Sequence, residues 1–166
     1  MTAATKVILV MGVAGSGKTT VGRALAERLG SAFLDADDLH PAANVEKMRA
    51  GHPLTDADRA PWLDAIAAWI DAREGAPCVI ACSALKRAYR ARLRRGRDGF
   101  RLVFLRGDQA LIRSRAADRP GHYWPASLTA SQFADLEPPG PDEAPITVDA
   151  DQPLDALVDA VVARLA

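Results

Sequence analysis

The chain has 166 residues, 49% of them hydrophobic, which is enough for one domain spanning 1–166 with a substantial core. Its 21 basic and 21 acidic residues give a formal net charge of zero, so no global field draws in nucleic acid or an anionic membrane. The longest apolar stretch, Val7 to Ala14, is too short to span a bilayer and lacks the flanks of a secretory signal, so the expectation is a cytoplasmic protein with no nucleic-acid or membrane partner.

Lys6 to Met11 reads as a strand buried on both faces, because it is a continuous run of β-branched and aliphatic residues. It runs into Gly12-Val13-Ala14-Gly15-Ser16-Gly17-Lys18-Thr19, followed by Thr20 and a helical pattern to Leu29. That is a phosphate loop in its strand-loop-helix setting. Glycines let backbone N–H groups converge on phosphate oxygens, and the helix points its positive end at the same place. Lys18 reaches the β- and γ-phosphates, and the Thr19 hydroxyl stands where a nucleotide's Mg²⁺ is ligated.

Gly30 stops the helix, and Ala32 to Leu34 forms a short second strand running into Asp35-Ala36-Asp37-Asp38-Leu39-His40-Pro41. Ala42 to Ala50 is weakly helical. Thr55 caps a stronger helix whose Trp62, Ile66, Trp69 and Ile70 recur at helical spacing until Gly75 and Pro77, which places both tryptophans in the core. Cys78 to Cys82 is a third strand. Its two thiols stand about 13 Å apart along an extended chain, too far for a disulfide, and are read as buried in a reducing compartment. Ser83 to Arg87 leads into a helix whose Arg90, Arg92, Arg94 and Arg95 are read as solvated surface.

Phe100 to Leu105 is a fourth strand, and Gln109 to Ala117 a helix carrying Arg113 and Arg115. Arg119-Pro120-Gly121-His122-Tyr123-Trp124-Pro125 mixes a cation, aromatics and turn-formers in the manner of a flap, before a helix over Ser127 to Leu136. Ile146 to Asp149 is a fifth strand, and Leu154, Leu157, Val158, Val161, Val162 and Leu165 stripe a closing helix. This alternation specifies a parallel, five-stranded sheet in a three-layer α/β/α sandwich, with a short helical lid over about 113–136.

Ligands of such sheets bind at the carboxyl ends of the strands, where the phosphate loop, Asp35 to His40, Ser83 to Arg87 and Arg106 to Asp108 converge. Phosphoryl transfer is the chemistry these loops can assemble. Asp35 is assigned to the metal and Asp37 to the acceptor hydroxyl, while Asp38 is read as a cap. His40, before a proline, serves either as a substrate hydrogen-bonder or as a structural residue. Lys86 and Arg59 are candidate anion binders, with surface roles as the alternative. Arg115 and Arg119, four apart, are placed to close over the phosphates and exclude water.

Together these motifs resemble the gluconate kinases, small P-loop carbohydrate kinases similar in fold to shikimate and nucleoside monophosphate kinases. The resemblance covers nearly the whole chain. It rests on the phosphate loop, on Asp35 to Pro41, on Asn44 to Met48 with Pro53-Leu54-Thr55-Asp56, on Asp58-Arg59 and Pro61-Trp62-Leu63, on Ala81 to Arg87 with Tyr89-Arg90, and on Gly121-His122 with Ser131-Gln132-Phe133 and Leu136-Glu137. It implies a P-loop kinase fold, ATP and Mg²⁺, D-gluconate as substrate phosphorylated on its terminal hydroxyl, and a homodimer. Asp37, His40, Arg59, Ser83 and Lys86 would line the substrate side, and Arg115 to His122 the lid. Ala14, Ala36 and Tyr123-Trp124 depart from the family pattern, the last pair bearing on lid packing. A related kinase acting on shikimate or a nucleoside monophosphate, and a non-kinase nucleotide-dependent switch, are the alternatives.

Overall fold

The structure, a computed structural model, describes residues 5–117 and 126–165. In chain order the elements are β1 (Val7–Met11), α1 (Lys18–Leu29), β2 (Ala32–Asp35), α2 (Ala42–Arg49), α3 (Asp56–Ala72), β3 (Cys78–Ala81), α4 (Arg87–Arg94), β4 (Phe100–Arg106), α5 (Gln109–Ala117), α6 (Ala126–Asp135), β5 (Ile146–Asp149) and α7 (Leu154–Leu165). Short 3-10 turns occupy Ala36–Leu39 and Pro141–Glu143. The five strands pair in parallel in the order β2-β3-β1-β4-β5, with Leu9 opposite both Ile80 and Leu102. This is the expected P-loop kinase architecture.

The unbroken apolar run of β1 is used on both faces, because successive strand side chains point to opposite sides. Val7, Leu9 and Met11 pack with Trp62, Ile66 and Ile70 of α3 and Leu93 of α4. Ile8 and Val10 pack instead with Val21 and Leu25 of α1 and Leu157 and Val161 of α7. Helix α1 stops at Gly30, whose φ of 64° only glycine adopts without strain, and Ser31 N–H closes back on Ala26 O at 2.9 Å. Helix α3 begins at Thr55, where Thr55 Oγ1 accepts from Asp58 N–H and the Asp58 carboxylate accepts from Thr55 N–H. Among the described residues, no helix is long and apolar enough to cross a membrane.

A third, smaller cluster lies at the carboxyl edge of the sheet, where Val13, Leu85 and Ile112 are buried against Phe133 and Leu136. It seats α6 beside the phosphate loop. Both cysteines are buried thiols, and burial pushes Cys82 up to about 12, which leaves it unreactive.

The expectation that the arginines of α4 are solvated fails at Arg90, which is 2% exposed. Its Nε and Nη2 clasp both oxygens of Glu143 at 2.7 and 3.0 Å, and its Nη1 donates to Ala84 O and Leu85 O at 2.9 and 3.1 Å. A guanidinium survives burial only when it is paired in this way. The pair pins the β3–α4 loop, including Ala84, whose φ of 42° is strained for a residue with a Cβ.

Replacing Arg90 with Met leaves the Glu143 carboxylate buried without its cation. Urea denaturation is expected to show a loss of about 3–5 kcal/mol, most of which the double variant with Glu143→Leu recovers.

Candidate active site

The phosphate loop is shaped by close packing. Ser16 is fully buried, and a Cβ on Gly12 would meet Ser16 Oγ at 2.6 Å and Leu105 O at 3.1 Å. Gly17 caps α1 with a φ of 97°, so the chain turns there without steric strain and the first N–H groups of the helix face the loop's hollow. Lys18, the first residue of α1, is buried, and Thr19 Oγ1 donates to Asp35 Oδ2 at 3.2 Å. The two residues assigned to the metal are thus neighbours across the β1 and β2 strand ends.

Asp35 and Asp37 are separated by a break in the strand. Side chains two apart on a continued strand would share a face. Instead β2 ends at Asp35, whose Oδ1 accepts from Asp37 N–H at 3.0 Å and caps the 3-10 turn to which Asp37 belongs.

The sequence-assigned residues divide between two cavities that share the loop. The first, about 260 Å³, is lined by Lys18, Asp37, His40, Arg59 and Ser83. The second, about 350 Å³, is bordered by Gly15, Ser16, Gly17, Thr20 and Arg115 on one side and by Ala150 and Gln152 after β5 on the other. Arg115 donates from Nη1 to Ser16 O at 3.0 Å and from Nη2 to Ala150 O at 2.5 Å, so it braces the loop from the second cavity's side. Arg119, His122, Tyr123 and Trp124 lie outside the described residues, as does the whole segment 118–125 between α5 and α6.

In the first cavity Arg59 is 7% exposed and donates from Nη1 to Tyr89 Oη at 3.1 Å and to Asp135 Oδ2 at 3.3 Å. Tyr89 in turn donates to Asp56. Lys86 is not among the cavity's lining residues. Its ammonium pairs with Asp56 at 2.9 Å, which raises its pKa, and the cations that border the space are Lys18 and Arg59.

Two residues that line the first cavity, Trp62 and Gln132, and one just behind it, Asn44, carry the family resemblance in the sequence but were given no role in the site there. Trp62 is core, 1% exposed, yet it also stacks on His40 with ring centroids 4.2 Å apart and donates from Nε1 to Ala36 O at 2.6 Å. Gln132 of α6 accepts from Ala14 N–H at 2.7 Å, tying that helix to the phosphate loop across 118 residues. Asn44 of α2, 5% exposed, donates to Asp58 O at 2.9 Å, and Lys47 one turn later pairs with the Asp58 carboxylate at 2.7 Å. Helix α2 is therefore clamped to the start of α3, and His40 and Arg59 sit on either side of the clamp.

A family model described as an AAA domain matches residues 7–138. The thermoresistant gluconokinase of Escherichia coli strain K12 is 44% identical over 155 residues, covering 92% of this chain and 89% of that protein. The gluconokinase of Gluconobacter oxydans strain 621H is 46% identical over 157 residues, covering 93% and 88%. Among solved structures, a gluconokinase from Sinorhizobium meliloti 1021 superimposes with a TM-score of 0.89 at 45% identity, over 96% of this chain and 91% of that one.

Two outcomes follow from the packing. Gly12→Ala forces a Cβ against Leu105 O and Ser16, and isothermal titration is expected to show nucleotide affinity at least about tenfold weaker, with the melting temperature lowered as well. The Lys47 ammonium and then the Thr55 N–H hold the Asp58 carboxyl down from 3.8 to about 2. A carboxyl whose folded pKa is depressed stabilises the fold fully above its unfolded value and loses that contribution as pH falls toward the folded one. Melting temperature should therefore drop between pH 3.8 and about 2, and Asp58→Asn should flatten that limb.

Proposed function

The chain belongs to the gluconokinase family, and we propose that it transfers the γ-phosphoryl group of ATP to the terminal hydroxyl of D-gluconate, giving 6-phosphogluconate and ADP. The observation that carries this reading is the pair of cavities meeting at the phosphate loop, with Lys18 bordering the first and the start of α1 bordering the second. A donor nucleotide in the second cavity directs its terminal phosphate over the loop toward an acceptor in the first. Shikimate or a nucleoside monophosphate as acceptor is the second reading, and the relatives' names favour gluconate over both.

The loop's N–H groups and the positive end of α1 hold the phosphates, and Lys18 neutralises charge on the transferring group. Arg59 supplies a fixed cation for the substrate carboxylate, already oriented by Tyr89 and Asp135. Asp37 accepts the proton of the attacking hydroxyl as the new P–O bond forms. The reading includes a Mg²⁺ ion. Among the described residues no three His, Cys, Asp or Glu side chains gather as a metal nest, but the adjacent oxygens of Thr19 and Asp35 fit an ion that keeps its waters and nucleotide oxygens as further ligands. Such an ion would offset charge on the β- and γ-phosphates. The flap residues Arg119 and His122 belong to the same proposal as parts of the lid.

The test is ATP consumption with D-gluconate, shikimate and nucleoside monophosphates offered separately, with the product identified by ³¹P NMR. Gluconate-dependent formation of 6-phosphogluconate is expected, and turnover only with another acceptor would reassign the first cavity. Lys18→Ala is expected to abolish turnover. Asp37→Asn is expected to lower kcat at least about a hundredfold with ATP affinity little changed, as for a group acting on the acceptor; an equal loss of ATP affinity would place Asp37 on the metal instead.

A further inference from the structure

We propose that Asn44 is a positioning residue that fixes His40 as its Nε2–H tautomer, so that the ring presents to the first cavity a neutral hydrogen-bond donor beside Asp37. The kinetic part of this inference rests on the gluconate kinase reading; the tautomer itself does not.

The orientation of the Asn44 amide is set by its surroundings. Its Nδ2 lies 2.9 Å from Asp58 O, a backbone carbonyl that can only accept, so the nitrogen and not the oxygen of the amide faces it. The same Nδ2 lies 3.2 Å from His40 Nδ1. An amide NH₂ has two hydrogens and no acceptor capacity. With one hydrogen directed to the carbonyl, the other is available for the ring, and Nδ1 must accept it as an unprotonated nitrogen. The ring proton then resides on Nε2.

The ring cannot escape this arrangement by turning over. Its side chain is 5% exposed, and one face stacks on Trp62 at an interplanar angle of 13°. Trp62 is held by its own bond to Ala36 O, and Asn44 by its place on α2 one turn before Lys47, which pairs with Asp58. Protonation is opposed as well, since an imidazolium would bring an Nδ1–H against the Asn44 NH₂. Burial lowers the pKa of His40, Arg59 lowers it further and Asp37 raises it in part. These are the charged groups that face the ring from the 3-10 turn and from α3.

Nε2 is the remaining polar atom of the ring, and it lies 3.9 Å from Asp37 Oδ1. That separation is too long for a direct hydrogen bond and short enough for a single hydroxyl oxygen to touch both groups. Such an oxygen can accept from Nε2–H while its own proton goes to the carboxylate, which matches the two faces of a hydroxyl to two groups of fixed polarity. The opposite tautomer would present a lone pair beside the Asp37 carboxylate. Two acceptors would then compete for one hydroxyl proton. Asn44 thereby decides, from outside the cavity, that proton acceptance falls to Asp37 and donation to His40.

Long-range ¹H–¹⁵N spectra of the labelled full chain read the tautomer without reference to activity, with the His40 signals identified by their loss in His40→Gln. The expected result is an unprotonated Nδ1 and a protonated Nε2 between about pH 6 and pH 8. A protonated Nδ1, or averaging between two tautomers, overturns the inference. The second arm is Asn44→Asp, whose carboxylate holds a proton on Nδ1 instead. Below the raised His40 pKa the variant ring is a cation that still donates from Nε2; above it, Nε2 loses its proton. The ratio of variant to unaltered kcat/KM for gluconate is therefore expected to fall about tenfold between about pH 6 and pH 8, with KM for ATP unchanged. A ratio that stays flat with pH overturns the positioning role, because a loss of packing alone carries no such ionisation. Should gluconate support no turnover in the unaltered protein, the functional reading fails, and the spectra still decide the tautomer.

Discussion

The chain between Met11 and Lys18 has to reverse direction with its N–H groups facing inward, and the rest of the molecule is arranged to hold it there. A loop in that conformation gathers donors that repel one another until an anion arrives, so it needs rigid walls. Gly12 passes against Leu105 O and buried Ser16, where no side chain fits. Arg115 braces Ser16 O from the side of the second cavity, and Gln132 takes the Ala14 N–H from the side of the first. Two elements far apart in sequence thus bracket one turn.

The same economy governs the other loops at the carboxyl edge of the sheet. The β3–α4 loop places Ser83 in the first cavity but carries a strained backbone at Ala84, and Arg90 holds it by binding the carbonyls of Ala84 and Leu85. Glu143, in the 3-10 turn before β5, neutralises that arginine at 2.7 Å. Glu137, just after α6, adds a second tie through Leu85 O and Arg87 N–H. Two buried arginines at this edge are thus told apart only by their partners. Arg90 makes four hydrogen bonds within the protein, whereas Arg59 borders open space.

Around the first cavity, the orientation of the charged and polar side chains is set by their protein neighbours. Asp35 caps the turn through its bond to Asp37 N–H and bonds Thr19 with its other oxygen, while Asp37 lines the cavity. Asp135 and Tyr89 orient Arg59, and Asn44 and Trp62 orient His40. Orienting side chains before the substrate arrives lowers the reorganisation left for the transition state.

By itself the sequence determined the elements, their parallel pairing, the phosphate loop and the residues Lys18, Asp37, His40, Arg59 and Ser83, which the fold brings to the border of one cavity. These are legible because hydrophobic period, glycine spacing and strand-end position are local properties, readable within a dozen residues. Tertiary structure alone decided that Arg90 is a buried clamp and not a solvated face, that Lys86 pairs with Asp56 outside the cavity lining, and that Trp62 serves both core and site. It also brought Gln132 to Ala14 and Asn44 to Asp58. The side-chain types at these positions are compatible with several roles, and the role is set by which partner lies within about 3 Å, a fact of packing between segments that no local pattern encodes.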